Sequence, residues 1–123
     1  MEKAITGKWM NQLGSTMELV ATNDGIINGN YFTKVGDAIS WHRLIGQWCS
    51  TEEKGALISF TVCWTNKKPE CKHSCTAWNG ILYIKDNDEL PFIYATWTLA
   101  SDVPFCDEWK STLISKDTFK KCT

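Results

Sequence analysis

The sequence predicts an all-β fold, an eight-stranded antiparallel up-and-down β-barrel, on three observations. Short runs rich in β-branched and aromatic residues recur at fairly even intervals. Clusters of Gly, Asn, Asp and Ser separate them. No long window carries the 3.6-residue period of an amphipathic helix. Sequential strands with short connections make a meander, and closing the meander removes its exposed edges. A flat two-sheet sandwich is the competing architecture, and periodicity alone does not exclude it.

The first strand is expected near residues 6–12, ahead of the turn at Gly14-Ser15. The second lies near 17–22 and the third near 27–34. Asn23-Asp24-Gly25 joins them, and these residue types tolerate the positive φ that hairpins need. Gly36-Asp37 separates the third strand from the fourth, near 41–49. Thr51 to Gly55 leads into the fifth, near 56–65, and Lys67 to Glu70 into the sixth, near 75–84. Asp86-Asn87-Asp88 is again hairpin chemistry and precedes the seventh strand, near 92–100. Ser101 to Glu108 is a break before the eighth, near 110–120. No linker, repeat or low-complexity tract interrupts the chain, so residues 1–123 read as one domain.

Bulk properties exclude several function classes. Thirteen basic and 14 acidic residues give a formal net charge of -1, which favours neither nucleic acid nor an anionic membrane surface. No apolar run is long enough to span a bilayer as a helix. Residues 1–6 are too short and too polar for a signal peptide, and the expected compartment is extracellular with a signal already removed. Six cysteines, an even count in a small domain, lean towards disulfides and an oxidising compartment. The two candidate bridges are Cys63 to Cys75, on outer faces of neighbouring strands, and Cys71 to Cys106, between loops. Cys49 and Cys122 complete the set, and sequence does not choose among pairings. Cys71-Lys72-His73-Ser74-Cys75 lacks the spacing of a zinc site. There is no nucleophile elbow, paired-carboxylate motif or phosphate loop, so neither catalysis nor a metal or other cofactor is expected.

What remains is binding. Strand alternation assigns side chains to faces. Phe60, Val62 and Trp64 share one face, and Thr61 and Cys63 the other. Ser74, Thr76 and Trp78 go together, as do Trp97 with Leu99 and Tyr31 with Thr33. These inward sets mix a large ring with a short hydroxyl. A pure core rarely contains such a mixture, because every buried hydroxyl needs a partner. A polar ligand caged by aromatic rings does require it. Taken singly, each residue has a plainer role. Tryptophans on strands are usually core, Asn11 and Ser15 suit turn capping, and Asp117 suits a surface ion pair.

Several segments together resemble the avidin/streptavidin family of biotin-binding proteins, and its streptavidin-like branch most. They are Ile5-Thr6-Gly7-Lys8-Trp9 with Asn11-Gln12-Leu13-Gly14-Ser15-Thr16; Gly29-Asn30-Tyr31 with Thr33, Val35 and Gly36; Val62 with Trp64; His73-Ser74 with Thr76 and Trp78-Asn79-Gly80; Thr96-Trp97 with Leu99; and Trp109-Lys110-Ser111-Thr112-Leu113 with Asp117-Thr118-Phe119. The resemblance implies a barrel that holds biotin at one end and assembles as a homotetramer, with a dimer as the alternative. It also implies a role for each matched position. Asn11, Ser15 and Tyr31 donate to the ureido oxygen; Thr33 and Asp117 accept from the ureido N–H groups; Thr76 donates to the ring sulfur. Ser74 and the backbone N–H near Asp37 meet the valerate carboxylate, with Val35 in the same loop. Leu13, Trp64, Trp78, Trp97 and Leu99 wall the bicyclic ring, and Trp109 caps a neighbouring subunit's site. The implied function is sequestration of free biotin.

The chain departs from the family pattern in places. Asp37 replaces a neutral Asn, and Lys72 stands where a small residue is expected. Lys116 replaces a His beside Asp117, and Cys63 a small residue on the outer face. Asp37, Lys72 and the six cysteines support a second reading, an avidin-like structural or matrix domain with weakened or lost biotin binding. A lipocalin-like carrier also fits a barrel, but would leave the inward polar groups unsatisfied against a lipid.

Overall fold

The computed structural model describes residues 1–33, 41–64, 73–85 and 90–123 of the chain. A short helix, α1 (Glu2–Ile5), precedes strands β1 (Gly7–Asn11), β2 (Thr16–Ala21), β3 (Ile26–Phe32), β4 (Trp41–Ser50), β5 (Gly55–Trp64), β6 (Ser74–Tyr83), β7 (Phe92–Ser101) and β8 (Thr112–Lys121). Each strand pairs antiparallel with its sequence neighbours, and β8 returns to β1 through Trp9↔Lys121 and Asn11↔Phe119. The sheet is a closed barrel, so the sandwich alternative is excluded.

The alternation expected from sequence is obeyed most clearly in β5. Ala56, Ile58, Phe60, Val62 and Trp64 are buried, and Leu57, Ser59, Thr61 and Cys63 face out. Register then carries this parity round the barrel, because directly opposed residues share a face. Val62↔Thr76, Trp64↔Ser74, Trp78↔Trp97 and Thr76↔Leu99 put the inward sets of β5, β6 and β7 on one wall. The β2–β3 hairpin turns at Gly25, whose φ of 88° any side chain would strain.

The strand ends agree with expectation to within small shifts, and the eighth strand needs correcting. Lys110 and Ser111 were expected in β8, which begins at Thr112. Phe105–Lys110 instead forms a 3-10 helix, with Pro104 before it and the Asp107 N–H donating to Pro104 O at 2.8 Å. The helix α1 was also not expected. It closes one end of the barrel: Ile5 is fully buried and its carbonyl accepts from Trp9 Nε1 at 2.9 Å. Lys121 Nζ donates to the carbonyls of Lys3 and Ala4 at 2.8 and 2.9 Å, satisfying the short helix's free carbonyl end. Burial lowers the Lys121 pKa from its ordinary value. The turn Gly36-Asp37, the break Lys67 to Glu70, the hairpin Asp86-Asn87-Asp88 and Cys71 lie outside the described residues.

The core fills the end next to α1. Ile5, Trp9, Leu19, Ile27, Leu82, Ile93 and Phe119 are buried there. Towards the other end the interior turns polar, with Asn11, Ser15, Thr33, His42, Thr76 and Asp117 all buried. No disulfide is present among the described residues. Cys63 and Cys75 are opposed in register on β5 and β6, as expected, but as thiols with their Sγ atoms 3.4 Å apart.

Candidate functional site

The polar end is organised from the β1–β2 turn. Gly14, at φ 84°, reverses the chain just past Asn11. Asn11 Oδ1 accepts the backbone N–H groups of Leu13 and Ser15 at 3.0 and 2.9 Å. This is turn capping, as the plainer reading had it. Because the oxygen is committed to the turn, the NH₂ group is aimed inward. It lies 3.4 Å from both Tyr31 Oη and Asp117 Oδ1. The capping role and the pocket role therefore belong to opposite ends of one amide.

Tyr31 comes from β3 and is hydrogen-bonded with Ser15. Its phenol pKa is pushed far up, first by burial and then by the negative charge of Asp117, with the Ser15 bond offsetting part of this. Tyr31 therefore keeps its proton at physiological pH and remains a donor. Asn11, Ser15 and Tyr31 form one contiguous set of polar groups.

Asp117, on β8, sits beside this set and is buried rather than paired on the surface. Its Oδ1 accepts from Gln12 Nε2 at 2.7 Å as well as from Asn11, and its Oδ2 accepts from Trp78 Nε1 at 2.9 Å. Gln12 in turn accepts the Thr118 N–H at 3.0 Å. A carboxylate held by donors from β1, β6 and the β1–β2 turn cannot rotate freely, yet retains one lone-pair site, on Oδ2, beyond these three bonds. On β6, Thr76 Oγ1 accepts from Trp64 Nε1 at 2.8 Å. That leaves the Thr76 proton to donate elsewhere.

Aromatic rings enclose these groups. Phe60, Trp78 and Tyr31 form a stack, with centroids 5.0 Å apart at each step. Trp64 stands edge-on to Tyr31 at 5.5 Å. Ser74, Trp97 and Leu99 are half-buried on the inner face, nearer the open end. Such a site offers fixed donors at one edge, a fixed acceptor beside them and flat apolar walls. It is shaped for a planar ligand that carries acceptor and donor groups together.

Most residues expected at the site meet there: Asn11, Ser15, Tyr31, Thr33, Trp64, Thr76, Trp78 and Asp117 are buried, with Ser74, Trp97 and Leu99 beside them. Leu13 and Trp109 do not join the buried set. They are 57% and 72% exposed, on the β1–β2 turn and on the 3-10 helix. Val35 and Asp37 lie outside the described residues, as does Lys72. Lys116 is exposed. Two members had been given no role from sequence. Gln12 lay inside the motif Asn11-Gln12-Leu13, but nothing showed that its side chain turns back on Asp117. His42 was legible from the alternation Trp41-His42-Arg43-Leu44, which sends it inward beside Leu44. Among the described residues no three His, Cys, Asp or Glu side chains gather as a metal site.

The model of the avidin family matches residues 1–122. The chain is 32% identical to avidin-related protein 4/5 of Gallus gallus, over 98% of this chain and 79% of that protein. It is 31% identical to avidin of Gallus gallus, over 96% of this chain and 78% of that protein. To afifavidin of Afifella pfennigii it is 33% identical, over 79% of this chain and 58% of that protein.

Proposed function

The chain belongs to the avidin family, and from that premise we propose that it captures free biotin, non-covalently, in the polar end of its barrel. The family is one of non-enzymatic, biotin-binding proteins. One observation carries the reading for this chain. Asn11, Ser15 and Tyr31 are buried together, with Asp117 held beside them by Gln12 and Trp78.

The chemistry follows from that arrangement. In the complex, the ureido oxygen takes hydrogen bonds from Asn11 Nδ2, the Ser15 hydroxyl and the Tyr31 phenol. Three fixed donors stabilise negative charge on that oxygen, as they do in an oxyanion hole. Asp117 and Thr33 accept from the ureido N–H groups, and the Asp117 bond is charge-assisted. Donors at one edge and an acceptor at the other polarise the planar urea in the same sense. Trp64, Trp78, Trp97, Leu99 and Leu13 cover the apolar rings of the ligand, Thr76 donates to its sulfur, and Ser74 with the backbone N–H near Asp37 receives its tail. The polar set is already bonded, so binding loses little ordering entropy.

Assembly and setting extend the proposal. Trp109, exposed on its own chain, caps the site of a neighbouring copy in a homotetramer. The chain acts outside the cell, sequestering biotin, and there the Cys63 and Cys75 thiols become a cross-strand disulfide. The test is a thermal melt with and without excess biotin, combined with mass in solution. Biotin is expected to raise the melting temperature strongly, since a ligand that binds only the folded state stabilises it by mass action. An unchanged melting temperature at saturating biotin would refute the reading.

A further inference from the structure

Cys63 and Cys75 are paired in space, and their chemistry is not used by the binding site. They are directly opposed on β5 and β6, with Sγ atoms 3.4 Å apart. Alternation puts both on the outer face, Cys63 between the inward Val62 and Trp64, and Cys75 between Ser74 and Thr76. Opposed residues of an antiparallel pair have Cα atoms about 4.5 or 5.5 Å apart, and both spacings lie within the range that a disulfide spans. Rotation of the two side chains therefore suffices to join them. On an outer face two small thiols add little packing, so reactivity is what the pairing supplies. A metal is the weaker occupant, because among the described residues no third ligand stands with them.

The two thiols are not equivalent. Cys63 is exposed, whereas Cys75 is half-buried. Burial, and then the contact with Cys63, push the Cys75 thiol up from its ordinary value. Thiol–disulfide exchange needs a thiolate with access to its target. Cys63 meets that need first. Cys75 is less accessible but already in contact with Cys63 Sγ, which is where a resolving thiol has to be.

We infer that Cys63 and Cys75 form a modification site, a thiol–disulfide couple in which Cys63 reacts first with a small-molecule disulfide and Cys75 resolves the adduct, and whose closure tightens the ligand site on the other side of the same strands. The inference rests on the biotin reading and on the bridge proposed above, to which it adds an order of formation, reversibility and an effect. In the first step the Cys63 thiolate attacks one sulfur of the oxidant. That S–S bond breaks, and one half leaves as a thiolate that takes up the proton Cys63 gave up. In the second step Cys75 loses its proton and attacks Cys63 Sγ. The other half is expelled and takes that proton. Two electrons pass from the chain's two thiols to one disulfide, which ends as two thiols. An excess of the small thiol reverses both steps.

The effect on the site follows from position. Trp64↔Ser74 is the last described pair of the β5–β6 ladder, and Cys63↔Cys75 is the pair next to it. Ladder ends open at lower cost than ladder centres. This end carries site groups: Trp64 Nε1 donates to Thr76 Oγ1 across the two strands, and Ser74 is half-buried beside it. A covalent bond one residue from each keeps Trp64 and Ser74 from parting. That wall of the site therefore opens less often in the bridged chain.

The test oxidises the full chain with oxidised glutathione, returns part of it with excess reduced glutathione, and maps the linkages by mass spectrometry after alkylation. An intrachain Cys63–Cys75 bridge is expected to form and to reverse. Cys75→Ser is expected to stop with glutathione held on Cys63, and Cys63→Ser to leave Cys75 largely as the thiol. Biotin is expected to leave the bridged chain roughly threefold or more slowly than the reduced chain, as a bridge that suppresses local opening requires. Oxidation is expected to leave release from the Cys63→Ser chain unchanged. Bridging of Cys63 or Cys75 to Cys71 or to another chain, glutathione held first on Cys75, or equal release from bridged and reduced chains would each overturn the inference and leave the biotin reading standing. Biotin binding by neither form would overturn the biotin reading and the effect on the site with it, with the linkage map still deciding the order of the thiols.

Discussion

Two regions of the barrel end contrast sharply. The polar pole made by Asn11, Gln12, Ser15, Tyr31, Trp78 and Asp117 is finished within one chain. Its groups are mostly buried, and Asp117 alone accepts from three side chains. The rim made by the 3-10 helix and the start of β8 is unfinished. Phe105 is 93% exposed, Trp109 72%, Leu113 60% and Ile114 70%. A lone chain leaves that apolar surface in water, where it has nothing to bury against. The difference teaches that the polar groups are fixed within one chain while the apolar rim is left exposed; on the proposed reading a neighbouring copy covers that rim. Polar recognition needs rigid geometry, which a closed sheet supplies.

The strongest way to break this comparison is at Asp117. Asp117→Ala removes the acceptor of Gln12, Asn11 and Trp78 together. Biotin affinity is expected to fall by about 3 kcal/mol or more, the scale for truncating one partner of a buried charge-assisted pair. A calorimetric titration checks this, with circular dichroism showing that the barrel persists. Undiminished affinity would mean that the pole is structural only.

Trp109→Ala tests the other region. It is expected to speed biotin release by about 2 kcal/mol in barrier, the scale of an aromatic hot spot, and to lower the mass in solution. The melting temperature of the isolated chain should hardly move, because the ring is exposed on it. A variant that releases biotin faster but assembles normally would separate capping from assembly.

A third, smaller effect sharpens the internal pole. Trp64→Phe keeps an aromatic wall but removes the donor to Thr76 Oγ1. A loss of about 1 kcal/mol in stability or affinity is expected, the net worth of one hydrogen bond. Equal melting curves and equal affinities would show that this bond contributes nothing.

The pH dependence of folding gives the smallest effect near neutrality and a clear sign at high pH. The Tyr31 phenol has a raised pKa in the folded chain. The unfolded chain therefore loses that proton first, near the ordinary tyrosine value of about 10. The stability linked to Tyr31 is intact below that value and declines as pH rises beyond it. Tyr31→Phe should flatten this alkaline decline in denaturant melts. An unchanged decline would mean that other groups cause it.

Much of this was legible in the sequence because period-two alternation is a local property. The inward sets Phe60-Val62-Trp64, Ser74-Thr76-Trp78 and Tyr31-Thr33 follow from parity once a strand is recognised. Closure was not local. The pairing of Asn11 with Phe119 joins residues from opposite ends of the chain, and only that pairing brings Asp117 to Asn11. Gln12 escaped for a related reason. It follows a strand end, where parity no longer fixes direction, and its partner lies 105 residues away. The 3-10 helix at Phe105–Lys110 is set by one proline and two backbone bonds, too little signal to separate from a plain loop. Trp109 was named for the site by resemblance, and a single chain gives it nothing to cap.

The most direct test is the calorimetric titration of the wild-type chain with biotin. One biotin per chain, bound with favourable enthalpy from the preformed polar pole, is the expected result. No heat, with no saturable binding at high biotin concentration, would contradict the claim that Asn11, Ser15, Tyr31 and Asp117 form a urea-recognition site.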